Sequence, residues 1–333
     1  MQRATQRLDP RFAPAALPPK SLSGLLALVL VSSLAASPLV ADEIRRDLDV
    51  GAGGTLIVDA EATSIEVVGG AGSGARLLLE RRGGVPIADD YEVSIEQRGN
   101  DVVVEIEKRR KLSMRWRNQG LRLTVEVPSE YRVDAASSGG SIHVGSLTGD
   151  VDLRTSGGSL TIDDLDGSVT GRTSGGSIHI GAVSGDVEAS TSGGSITVGA
   201  ADGRVRATTS GGSITVESGS EVVARTSGGS IEVREVRGAI DAQTSGGTVR
   251  AHLSEQPAVD CHLSSSGGSV EVVLAEDLAL DLDAEASGGR VSSELPVRVS
   301  GTLSRNRLRG ELNGGGPELR LRSSGGGVRI LSR

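Results

Sequence analysis

The chain has 333 residues, of which 48 are Gly, four are aromatic and one is Cys, and its formal net charge is −8. The acidic balance disfavours nucleic acid as a main partner, and a single Cys excludes an internal disulfide. No aromatic ring follows Tyr131, so the core of the long C-terminal part has to close with Val, Ile, Leu and Ala instead of the rings that usually supply buried area.

The first forty residues read as an export signal. Arg3, Arg7, Arg11 and Lys20 flank an apolar run over 24–36 that is short for a membrane span. Leu39-Val40-Ala41 is the expected cleavage site, Ser33-Leu34-Ala35 is its rival, and an uncleaved anchor is the alternative reading. Cleavage after Ala41 leaves 31 Lys and Arg against 42 Asp and Glu, a net charge of −11. No Cys lies near the site, so a lipoprotein is not expected. The lone Cys261 is expected to be buried as a small hydrophobe.

Four segments are expected: a signal peptide over 1–41, an N-terminal β region with longer strands over 42–135, a regular array over 136–249, and widened coils with a cap over 250–333. In the first β region, 53–70 already fit a nine-residue pattern, and Asp101–Glu107 and Leu121–Val127 read as longer strands. Between them lies KRRKLSMRWRNQGLR, Lys108–Arg122, with seven basic residues and the only Trp. It reads as a protruding hairpin loop. Lys108, Arg109, Arg110, Lys111, Arg115, Trp116 and Arg117 are the candidate contacts to an anionic membrane or envelope polymer, against the plainer reading of a solvated loop that blunts a sheet edge.

The array itself is written in nines: GGSIHVGSL, TGDVDLRTS, GGSLTIDDL, DGSVTGRTS. Ser-Gly-Gly recurs every second nine, so two nines make one unit. A fixed period of this size means a repeat array. The fourth residue of each nine, from Ile142 to Val249, is always aliphatic and almost always β-branched. β-Branched residues alternating with polar ones make strands with one buried face. Each unit is thus two short strands and two tight turns. Stacked units give an all-β parallel solenoid (β-helix) with two facing sheets about 4.8 Å per coil, right-handed because parallel crossovers are. The Gly pairs are expected at corners that need φ > 0, and where successive corners stack closely.

Two further columns follow from the spacing. The sixth residue is large in the Gly-Gly strands (Val144, Ile162, Ile180) and small in the others (Gly171, Ala189, Ala207), so the two sheets are expected to interdigitate there. The ninth is apolar after the Gly-Gly strands (Leu147, Leu165, Val183, Ala201, Val236) and is expected to plug one edge. Thr155, Thr173, Thr191, Thr209, Thr226 and Thr244 form a column. It reads as a ladder of hydroxyls satisfying backbone groups, or else as a flat face for ice or glycans. Beyond 250 the strands widen, as at Leu278–Ala284, and the last is Gly327–Leu331; atypical ends are expected because they protect strand edges.

At Gly54-Thr-Leu-Ile-Val58, at Val125-Glu-Val-Pro-Ser-Glu-Tyr131 and at Leu319–Ile330 the chain resembles the bacterial "putative adhesin" family, exported β-solenoids of unknown function. The resemblance covers about 44–333. It implies the fold and an adhesin-like role, and it brings no catalytic residues.

Catalytic and metal chemistry find little support. Calcium-binding nonapeptides need Gly and Asp where this chain has Ile and apolar residues. His143 and His179 lie two coils apart with Thr161 between them, and His252 and His262 have no ligand spacing. Asp150, Asp152, Asp163, Asp164, Asp166, Asp186 and Glu188 read as solvated surface charge. No cofactor is expected. The expected function is a non-catalytic exported adhesin or scaffold of the cell envelope, in the periplasm or at the surface, with a glycan, protein or envelope ligand. A periplasmic envelope-stress sensor contacting the membrane or a membrane partner is the alternative, and a polysaccharide-acting enzyme the remote one.

Overall fold

Strands form where the β-branched residues fall. The computed structural model describes residues 42–70, 72–81, 86–109, 120–299 and 304–333. Among these, one sheet has 14 strands and the other 15. In a central coil, Ile178–Ile180 lies in the first sheet and Val187–Ser190 in the second. Each pairs in parallel with its equivalent in the next coil, Ile178 with Ile196 and Val187 with Val205. The chain is a parallel β-solenoid, and its regular coils are two nines long.

The core is aliphatic, as the missing aromatics require. Ile178, Ile180, Val183 and Val187 of one coil are 0–3% exposed. Burying such a side chain contributes roughly 1.5–3 kcal/mol, and stacked neighbours supply the cover that one coil lacks. A Cβ on Gly171 would lie 3.4 Å from Leu160 and 3.7 Å from Ile178. The small residues of the second sheet therefore face the fourth-place aliphatics of the first.

The two-sheet expectation is incomplete. The ninth-place residues make a narrow third ladder. Leu147–Thr148 pairs with Leu165–Asp166, and single bridges Leu165 to Val183 and Val183 to Ala201 continue it. All of these ninth-place side chains are buried, so the coil has two broad sides and one narrow one.

The reason for the glycine pairs also differs from the one expected. None of the central pairs, Gly139-Gly140 to Gly246-Gly247, has φ in the left-handed region. Close approach is what excludes a side chain. A Cβ on Gly176 would lie 1.9 Å from the Gly158 carbonyl oxygen, and one on Gly158 would lie 2.1 Å from that of Gly140. The first glycine of a pair is freer: on Gly175 the nearest atom would be 3.5 Å away.

The stack departs from chain order at both ends. The N-terminal strands are β1 (Asp42–Leu48), β2 (Gly54–Ala60), β3 (Thr63–Gly70), β4 (Ala75–Arg81), β5 (Tyr91–Arg98), β6 (Asp101–Lys108), β7 (Leu121–Pro128) and β8 (Tyr131–Ser137). The first coil, β2 with β3, is inserted. β2 lies between β6 and β8, and β3 between β7 and Ile142–Val144. Outside it, antiparallel strands close the end, β5 on β6, β4 on β7 and β1 on β4. Five of the seven residues in edge strand β1 are charged, which discourages further pairing.

The C-terminal end mirrors this. The last coil, Glu318–Ser323 with Val328–Ser332, sits between Cys261–Ser265 with Val270–Leu274 and Leu280–Ala286 with Val291–Ser293. Arg307–Leu312 then runs antiparallel on Leu280–Ala286. Cys261 is buried on the core side, and burial pushes its thiol above the usual range.

β6 belongs to the second sheet and β7 to the first, so these two strands do not pair as a hairpin; residues 110–119 between them lie outside the described residues.

The two glycines of one corner should behave differently in urea unfolding. Gly176→Ala is expected to cost on the order of 3 kcal/mol through overpacking against backbone, whereas Gly175→Ala should cost less than about 1 kcal/mol.

Candidate functional site

Each Thr of the column ends a second-sheet strand or directly follows one, and turns its hydroxyl inward. Thr191 Oγ1 donates to the Gly176 carbonyl of the previous corner at 2.8 Å and accepts from the Gly194 N–H of its own corner at 3.4 Å. The same pair of bonds recurs at Thr155, Thr173, Thr209, Thr226 and Thr244. Ser137, Ser265 and Ser323 extend the column. These threonines are 3–8% exposed. The ladder reading holds, and the ice or glycan face does not lie on this column.

The broad outer sides differ in chemistry. On the first sheet His143, Thr161, His179, Thr197 and Thr215 stack in register, a strip without a formal charge. A row of serines beside it links coils: the N–H of Ser177 is donated to Ser159 Oγ, and that of Ser195 to Ser177 Oγ. Further along, charges return as a paired ladder, with Glu271 Oε1 2.9 Å from Arg250 Nε and its other oxygen held by Arg329. The second sheet carries ion pairs, within one strand at Arg154 with Asp152 (2.5 Å) and across coils at Arg172 with Glu188 (2.8 Å). Burial raises the half-buried Asp152 carboxyl, partly offset by Arg154.

The surface aspartates have a use that the sequence reading missed. Asp164 Oδ1 accepts the Ala182 N–H, Asp150 Oδ1 that of Ser168, and Asp186 Oδ1 that of Arg204, at 2.8–3.1 Å and one coil on. They cap the next coil along the narrow side. Their signal in the sequence is that each stands one full repeat before the donor it serves. Beside them is an open depression of about 450 Å3 lined by Leu147, Asp164, Leu165, Asp166, Val183 and Asp202. Two of its carboxylates are already engaged, Asp164 with the Ala182 N–H and Asp166 with the Ser184 hydroxyl. Among the described residues no three His, Cys, Asp or Glu side chains are placed to hold a metal ion. His143 Nε2 meets only Asp163, at 3.2 Å, and Thr161 separates it from His179.

Of the anionic-surface candidates, Lys108 and Arg109 are exposed, and their backbone N–H groups are donated to Glu61 Oε2 and the Asp90 carbonyl. Arg110, Lys111, Arg115, Trp116 and Arg117 lie outside the described residues.

Coils of this pattern, in this register, match a family model described as Toastrack DUF4097 over residues 87–331. The chain belongs to that family. Among curated proteins none matches the sequence. Solved structures similar to this Toastrack chain include a "putative lipid binding protein" from Parabacteroides distasonis ATCC 8503, 11% identical with a TM-score of 0.42, covering 87% of this chain and 97% of that one. A "putative cell adhesion protein" from Clostridium sporogenes ATCC 15579 is 11% identical with a TM-score of 0.22, covering 88% and 100%. A "putative adhesin" from Bacteroides fragilis NCTC 9343 is 12% identical with a TM-score of 0.29, covering 88% and 97%.

The Toastrack chain keeps one strongly perturbed acid at its C-terminal end. Asp283 is 5% exposed. Its Oδ2 accepts from Arg309 at 3.0 Å and from Arg322 at 2.6 Å. Burial alone would raise this carboxyl, but the two guanidinium hydrogen bonds outweigh it and hold it at about 2. Arg322 belongs to the last coil and Arg309 to the strand outside it, so the carboxylate ties the inserted coil to its cover.

Two measurements test these bonds. Thr191→Val is expected to lower stability by about 1–2 kcal/mol, because the Gly176 carbonyl and Gly194 N–H lose their partner; Thr191→Ser should lose less, as Ser fills the same place at 137, 265 and 323. For Asp283 the folded pKa lies below the unfolded value of 3.8. Its contribution, about 2 kcal/mol, is therefore present above pH 4 and fades as pH falls towards 2. Acid titration of unfolding should show that fade, and Asp283→Asn should lower stability at pH 7 and flatten the curve between pH 4 and 2.

Proposed function

We propose that this Toastrack chain is a non-catalytic, exported adhesin-like or scaffold module of the bacterial cell envelope. It binds through repetition. The observation that carries this reading is the in-register strip from His143 to Thr215, without a formally charged residue, on a stack whose opposite side carries ion pairs. Identical small groups one strand spacing apart offer many weak contacts at once, and linked weak contacts multiply. A glycan or another repetitive envelope polymer suits such a strip better than a compact ligand does, because no pocket selects a shape.

The aspartates that an enzyme would need as acid and base are engaged in capping the following coil. That favours a binding role over turnover. Export rests on the 1–41 segment, which lies outside the described residues. β1 begins at Asp42, so cleavage after Ala41 would leave the fold whole.

A second reading, an envelope-stress sensor or accessory subunit at an anionic membrane, is favoured by exposed Lys108 and Arg109 where β6 ends. It assigns the contact to the basic segment rather than to the strip.

Protease added to intact and to permeabilised cells separates the two. Digestion in intact cells is expected for an adhesin, with Asp42 as the N-terminus of the recovered chain. Protection until permeabilisation would sink outward adhesion. Replacing Lys108 and Arg109 by Glu should leave envelope binding unchanged under the first reading and abolish it under the second.

A further inference from the structure

The last coil, like the first, stacks on strands that are not its neighbours in sequence. It enters a slot whose two walls, Cys261–Ser265 and Leu280–Ala286, precede it in the chain. Both walls pair with it in one register. Leu319 stands between Cys261 and Leu282, and Leu321 between Leu263 and Ala284. The corner columns run through it as well, since Ser323 Oγ donates to the Gly268 carbonyl. Its inward side chains Leu319, Leu321, Val328 and Ile330 are fully buried. The register and corner bonds of the slot therefore follow the template repeated along the chain, and together with the Arg322–Asp283 and Arg329–Glu271 pairs they can be made to a coil from either of two identical molecules.

What ties the coil to its own chain is short. Arg307–Leu312 lies on the far side of Leu280–Ala286 from the slot. The connector Asn313-Gly-Gly-Gly-Pro317 crosses over that strand to reach Glu318. Asn313 has φ 51, Gly314 96 and Gly315 78. Asn313 is not Gly, so its left-handed backbone carries strain that an open connector releases. Short, strained hinges joining an element to a slot that any copy can fill are the setting for exchange between identical chains.

We propose that the C-terminal coil, Glu318–Ser332, is exchangeable, and that a second copy of this chain can supply it to give a dimer with reciprocally inserted coils. The closed monomer wins at low concentration because the connector keeps its own coil at an effective concentration in the millimolar range. The dimer wins when the chain folds in concentrated form or when the connector cannot make the crossing. The inference does not rest on the adhesin reading, since it concerns the stack alone.

Deleting Gly314–Gly316 leaves three residue steps from Leu312 to Glu318, at most about 10 Å of chain. Crossing one strand takes about 9.6 Å in a straight line, with no length left for the reversal. This variant is expected to keep its β-sheet signal and to run at twice the monomer mass by light scattering. Adding three glycines to the connector should return it to the monomer. A deletion variant that is folded and monomeric would overturn the proposal. If the deletion does not fold, the full-length natural chain decides. Two differently tagged copies, unfolded together and refolded near millimolar concentration, should give a mixed dimer that survives dilution, whereas copies mixed without unfolding should not. No mixed dimer at any concentration would overturn it equally.

Discussion

A hydroxyl donated to a glycine carbonyl one coil back is the bond on which the rest of the stack depends. Thr191 reaches Gly176 only because Gly176 itself stands against Gly158 with no side chain between them. The corner must be tight for the hydroxyl to bridge it, and it must be free of Cβ atoms to be tight. Thr and Gly are thus selected together, and the fixed repeat length follows because the next corner has to meet the same demand. Hydrogen bonds of this kind are modest singly. Here they also dispose of backbone groups that would otherwise be buried without partners at every turn.

That constraint shapes the surface. A side that must bring coils within strand spacing at its corners has no room for long loops in the middle of the array. Binding chemistry is confined to what short outward side chains present. On the second sheet these are charges that satisfy one another, and exposed pairs such as Arg172 with Glu188 contribute at most about 1 kcal/mol each. On the first sheet, from His143 to Thr215, they are hydroxyls and imidazoles. The difference between the sides, more than any single residue, is what makes one of them available for contact.

Much of the fold was legible because it is periodic. Ile142, Ile178 and Ile214 announce a strand, and the Ser-Gly-Gly steps announce its length. The narrow third ladder was foreshadowed by Leu147 and Leu165, but two residues are too few to read as a strand. The aspartate caps were hidden because Asp164 and Ala182 belong to different nines. The inserted ends were invisible for a deeper reason. When every coil offers the same register, local pattern cannot say which coil stacks on which, and the order is decided by end strands such as β4 and β5 that break the pattern. The Lys108–Arg122 segment reads as a hairpin only if flanking strands adjacent in sequence are neighbours in one sheet, and here they are not. The uncharged strip was legible only in part: the spacing aligned His143, Thr161 and His179 in one outward column, but weighed them as metal ligands and did not extend the column to Thr197 and Thr215.

The buried position of the first coil has a bearing on how the chain reaches its native state. Leu56 pairs with Val102 and Gly54 with Tyr131, partners several strands further along the chain. Residues 54–70 therefore cannot be completed by their own neighbours and stay half-covered until Val144 has joined. A plain solenoid grows coil upon coil from either end with local contacts alone. Here the first and last coils close only on partners distant in the chain. Long-range closure of that sort slows folding, and it also means that neither the first coil nor the last can peel away as an outermost layer, although edge strand β1 can.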